Sequence, residues 1–147
     1  MKVFKIIVVV LLVAFVGIQF IPTNRNHSEE VPPSDFMLVK NVPAEVKSIL
    51  MISCYDCHSN NTHYPWYQKV QPVSWYLEGH IEDGKEELNF SDFGSYSDRM
   101  QKAKMRSIIS QVEDGKMPLP SYTLLHPEAE LTAEEKQLLV KWIEEMQ

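Results

Sequence analysis

Cysteine is scarce in this chain: its 147 residues hold only two, Cys54 and Cys57. A disulfide framework or a four-thiolate zinc site needs a second pair, so both are excluded. Positive charge is also short, with 14 Lys and Arg against 20 Asp and Glu and a formal net charge of -6. Nucleic-acid binders neutralise phosphates with clustered Lys and Arg. No nucleic-acid partner is expected. Sustained period-two alternation, the mark of half-buried strands, is missing throughout. Long apolar runs are confined to the N-terminus.

That N-terminal run extends from Ile6 to Ile21, broken only by Gly17 and Gln19, behind a basic start with Lys2 and Lys5. Pro22 closes it. Residues 1–22 are therefore expected to form a signal-anchor or transmembrane helix, because no small-x-small cleavage pattern follows the run. Lys2 and Lys5 would stay cytoplasmic by the positive-inside rule. The remainder would then lie on the periplasmic side of the cell membrane, held by a single pass. The alternative is a cleaved signal and secretion to the periplasm. Residues 23–40 are polar and contain Pro32 and Pro33, which reads as a flexible tether. Residues 41–147 carry the folded domain.

Four helices are expected there. The first runs from about Pro43 to Ser53, with Val46, Ile49 and Leu50 on one face. A second begins near Pro72 and fades near Gly84. A third follows Ser97, a good N-cap, and carries the stripe Met105, Ile108, Ile109 and Val112 before a C′ glycine at Gly115. The fourth opens on the capping-box sequence Thr132-Ala133-Glu134-Glu135. Long connections between short helices are uncommon unless they enclose something. The fold class is all-α, a bundle of about four helices with long loops, preceded by the hydrophobic N-terminal helix.

What the loops enclose is indicated by Cys54-Tyr55-Asp56-Cys57-His58. Two thiols three positions apart reach both vinyl groups on one porphyrin edge, and the following imidazole is set beneath the iron. One covalent haem c is expected, held by Cys54 and Cys57 with His58 as its first axial ligand. A redox Cys-x-x-Cys pair sits in a strand-to-helix setting that is missing here. Zinc would need another ligand, and a simple surface disulfide is the remaining alternative.

The second axial ligand is typically Met or His. Met117 is favoured, in Gly115-Lys116-Met117-Pro118-Leu119-Pro120, where flanking prolines stiffen the loop. His80 is the main alternative, beside Leu77 and Ile81 on a helix face. His126 reads as a loop support and His63 as partly exposed. Met51, Met100, Met105 and Met146 read as packing. Tyr64, Trp66, Tyr67, Trp75 and Tyr76 form an aromatic block expected to pack on the porphyrin. Within it, one hydroxyl or indole has the further option of bonding a haem propionate.

Several separated stretches together resemble the haem-binding-domain family of small exported bacterial c-type cytochromes. They are Ser53 to Asn60, Tyr64-Pro65-Trp66-Tyr67, Pro72 to Trp75 and Glu87-Leu88-Asn89-Phe90-Ser91. Met117-Pro118 leading to Tyr122, His126 to Ala129, and Leu131 through Trp142 continue the likeness. The resemblance implies a haem c protein with a cytochrome c-like plan, often membrane-tethered. The aromatic block after His58 departs from a minimal cytochrome c.

Electron transfer is the expected role, with an unidentified redox partner protein and membrane contact through the N-terminal helix. A haem enzyme or ligand sensor, peroxidase-like or gas-binding, is the alternative and would need an open or displaceable distal position. In a third option haem is mainly structural.

Overall fold

The computed structural model describes residues 1–28 and 30–146; Glu29, within the stretch 23–40, and Gln147 lie outside them. Among the described residues every regular element is a helix, and the one β-bridge, His27 to Asn61, is isolated. The helices are α1 (Lys2–Ile18), α2 (Phe36–Val39), α3 (Ala44–Ser53), α4 (Tyr55–His58), α5 (Val73–Glu87), α6 (Asp98–Glu113), α7 (Pro120–Thr123) and α8 (Ala133–Glu145). Short 3-10 turns at Trp66–Lys69, Phe93–Ser95 and Pro127–Ala129 occupy the connections.

Local chemistry explains the boundaries of the longer helices. Ser97 accepts from the Met100 amide and starts α6. Thr132 and Glu135 close a full capping box on α8. At the other end of α6, Gly115 takes φ +66, a left-handed conformation that glycine enters without a Cβ clash. Its amide donates to Val112 O, and the Lys116 amide donates to Gln111 O at 2.9 Å. This is the Schellman arrangement, which satisfies carbonyls left over at the helix end.

The core is built where α3 and α6 both pack against α8. Val46, Ile49 and Leu50 from α3 meet Met105, Ile108 and Val112 from α6 and Leu139 and Ile143 from α8. Phe90 and Phe93 fill the centre. Phe36 joins them at zero exposure, so part of the stretch expected to be a tether belongs to the core. Its backbone is committed as well, since the Phe36 amide donates to Phe90 O at 2.9 Å.

Helix α5 continues to Glu87, beyond the expected fade at Gly84. A Cβ on Gly84 would lie 3.0 Å from the Cys57 carbonyl oxygen, so this glycine is what lets α5 press against α4. Gly84→Ala sets two effects against each other. Helix propensity favours alanine by about 1 kcal/mol, while crowding a backbone atom costs about 1–3 kcal/mol. Net destabilisation of about 1 kcal/mol is expected, measured as a lower urea midpoint at unchanged m-value. A higher midpoint would refute the close approach.

The N-terminal expectation needs correction. Among the described residues no helix is long and apolar enough to cross a membrane. Helix α1 has 17 residues, about 26 Å at 1.5 Å per residue, against a hydrocarbon core of about 30 Å. The single-pass assignment is overturned. The C-terminal end of α1 is instead bonded to the domain. The Gln19 side-chain amide donates to Gln71 O at 3.1 Å and its oxygen accepts from the Gln71 amide at 2.9 Å. Thr23 and Ser74 share a hydroxyl bond at 2.9 Å.

Candidate functional site

Helix α3 ends at Ser53, and Cys54 breaks it with φ -131 and ψ -44. The chain then winds the single turn α4, in which the Cys57 and His58 amides both donate to Cys54 O. That turn brings Cys54, Cys57 and His58 to one cleft of about 290 Å3, shared with Met117, His80 and Tyr122. A second cleft of about 190 Å3 shares Cys54, His58, Glu87 and Met117 with the first and is otherwise lined largely from α6 and the stretch Leu88 to Phe90.

Segment 88–90 fixes the imidazole. His58 Nδ1–H donates to Leu88 O at 2.9 Å, and the Phe90 amide donates back to His58 O at 2.7 Å. Burial holds His58 below the ordinary imidazole value, although the Leu88 and Gly84 carbonyls oppose this. The ring is thus neutral, with Nδ1 engaged and the Nε2 lone pair left for a metal.

Both thiols are free. Burial, with Cys57 second, pushes the Cys54 thiol up to about 12. Burial, with Asp56 second, pushes Cys57 up to about 11. Reactive or zinc-binding cysteines have the opposite shift, toward thiolate. Among the described residues, no group of three or more His, Cys, Asp or Glu is placed to hold a bare metal ion.

Asp56, between the cysteines, anchors the motif to two loops. Its carboxylate accepts from Tyr122 OH at 2.8 Å and from the His63 amide at 3.0 Å. Burial, and then Asp56, raises the Tyr122 hydroxyl pKa well above the ordinary phenol value, so it stays protonated as the donor. Replacing Asp56 with Ala would leave the half-buried Tyr122 hydroxyl without its acceptor, at a cost of about 1 kcal/mol. The thermal midpoint of Asp56→Ala checks this, and parity with the parent would rule it out.

Met117 is delivered by the C-terminal turn of α6. Its amide donates to Gln111 O at 3.1 Å, alongside the Lys116 bond that closes the helix. His80, the alternative, lines the first cleft and donates from Nδ1 to Tyr76 O at 3.0 Å. Both expected sixth ligands therefore lie in the cleft with His58. His126 and His63 are not among the residues lining either cleft. His126 bonds Tyr67 OH at 2.7 Å and Glu128 at 3.1 Å and stacks on Tyr122, consistent with loop support.

The aromatic block departs from expectation. Trp66 is 79 % exposed, and Tyr76 is exposed too. Tyr64 OH is taken by Glu78 and the Asn26 amide, and Tyr67 OH by His126. Those two hydroxyls are committed to the protein. Gly84, Leu88 and Asp56 carry positional roles that sequence reading missed. The signal for Leu88 lay in the Glu87–Ser91 stretch, singled out without a role.

The haem-binding domain family matches residues 13–145. The chain belongs to this family. No curated protein and no solved structure matches it. Haem binding, the family's property, agrees with the site's chemistry. The neutral, oriented imidazole and the Cys54 thiol line both clefts, the Cys57 thiol lines the first, and the walls of the second include Leu88, Phe90, Ile108 and Val112. Such apolar walls suit a porphyrin plane, and these residues fit the group.

Proposed function

We propose that the chain holds one haem c covalently through Cys54 and Cys57, with His58 and Met117 as axial ligands, and transfers electrons. The observation that carries this reading is the His58 imidazole, bonded through Nδ1 to Leu88 O in a cleft shared with both thiols and the Met117 loop. Bound there, haem supplies a one-electron couple. The chain's own residues do the rest. Leu88 O fixes the tautomer and plane of His58, and Gln111 O holds the backbone at Met117. Phe90, Ile108 and Val112, all buried, exclude water from one wall. With haem held by His58 and Met117, the thioether would give a higher potential than a second His. An unidentified redox partner protein would meet the haem edge in a small, transient contact.

His80 supports a second reading. It lines the same cleft and, with Nδ1 donated to Tyr76 O, keeps Nε2 available as a ligand or distal base. An open or displaceable distal position would then make a haem enzyme or ligand sensor.

Visible spectra of the purified holoprotein separate them. The carrier shows a low-spin ferric spectrum with the far-red Met–iron band. Met117→Ala is expected to abolish that band and admit cyanide, while His80→Ala leaves both properties unchanged. A high-spin ferric parent that binds cyanide or peroxide would sink electron transfer and favour the second reading. Loss of low-spin character in His80→Ala alone would move the ligand to His80.

A further inference from the structure

The proposed haem c reading leaves the two propionates unassigned, and the clefts differ in what they offer them. In the first cleft the ionisable lining groups besides His58 and the cysteines are His80, Asp83, Glu87 and Tyr122. Two carboxylates repel a propionate, and Tyr122 OH is already donated to Asp56. The second cleft offers Lys104, Ser107 and Gln111 from α6 and has a single carboxylate, Glu87, in its lining. Among the described residues lining the two clefts, Lys104 is the one side chain with a fixed positive charge.

Helical spacing puts these three groups in a row. Positions 104, 107 and 111 fall on one face, over a rise of about 10 Å. Ile108 and Val112 lie beside them in the same cleft and are buried, forming an apolar floor under a polar rim. Lys104 Nζ donates to Glu87 O, the carbonyl of the last residue of α5, which ties its ammonium to the end of that helix. An ammonium has three donors, so two remain. Thioethers at Cys54 and Cys57 fix one edge of the porphyrin, and the propionates leave from the opposite edge.

We propose that Lys104, Ser107 and Gln111 on α6 form the propionate subsite of the bound haem. Lys104 supplies the charge, while Ser107 and Gln111 supply neutral donors along the same rim. The assignment rests on the haem c reading. It gives α6 two duties, because Gln111 O holds the Met117 backbone while the same residue lines the cleft.

Resonance Raman spectra of the holoprotein test it through the propionate bending modes. Lys104→Met and Gln111→Leu are each expected to shift those modes, with covalent haem content unchanged by pyridine haemochrome assay. Lys104→Arg should restore the parent pattern. The redox titration adds a second readout. Losing a nearby ammonium moves the pH window of propionate-linked potential change upward by about one pH unit. Unchanged modes and an unchanged window in haem-loaded Lys104→Met would overturn the subsite while leaving haem attachment standing. A parent protein that loads no haem overturns the haem c reading, and the subsite with it.

Discussion

Replacing Cys54 and Cys57 together with alanine is expected to abolish covalent haem completely. After expression with the attachment machinery, the double variant should show no haem stain on a denaturing gel. Acid-acetone should extract any pigment it carries. The reason is local. Cys54 and Cys57 are the chain's entire cysteine complement, so no other thiol can replace a lost thioether. His58 should still bind haem weakly, because Leu88 O and the Phe90 amide hold its ring and backbone without help from either sulfur. Each single variant should keep one thioether and show a shifted α-band in the pyridine haemochrome. Stability should fall with the double variant, since a covalent cofactor is a strong staple for a small domain. Haem retained after acid-acetone extraction of the double variant would refute covalent attachment at this motif.

Much of the frame behind this expectation was legible in the sequence, for identifiable reasons. Ser97, Gly115 and the Thr132–Glu135 pair act through bonds within a few residues of themselves, so their helices end close to where composition says. The stripe Met105, Ile108 and Val112 buries as its period requires. Met117 and His80 were both singled out, and both reach the cleft. What failed was non-local. Gly84 reads as a helix stop until Cys57 is known to lie against it. Leu88 contributes a backbone oxygen, which leaves no trace in side-chain chemistry. Asp56 reads as filler between two cysteines, because its partners are Tyr122 and the His63 amide. The aromatic block failed in the other direction, since the hydroxyls of Tyr64 and Tyr67 satisfy protein partners and Trp66 stands in solvent. The N-terminal run failed on length, one physical quantity that hydropathy alone does not report.

The largest stability effect is expected from Phe36→Ala, a change in a stretch whose composition suggests a tether. Phe36 meets Phe93 edge-on at 4.7 Å, Phe90 at 5.2 Å and Trp142 at 6.0 Å. Truncating a fully buried phenylalanine costs about 3–5 kcal/mol, a large share of the about 5–15 kcal/mol typical of a domain. The effect should also reach the haem site. Asp35 caps α2 through the Met37 amide and accepts Tyr55 OH at 3.0 Å, and Tyr55 stacks on Phe90 at 4.9 Å and 3°. Tyr55 adjoins Cys54, and the Phe90 amide holds His58 O. Loosening Phe36 therefore loosens the turn that presents both thiols and the imidazole. Urea unfolding of Phe36→Ala should show the full loss, with reduced haem incorporation during expression. Val31→Ala, at an exposed position earlier in the same stretch, should stay within about 0.5 kcal/mol of the parent. If Phe36→Ala costs less than about 1 kcal/mol, the stretch is a tether after all and the core begins at α3.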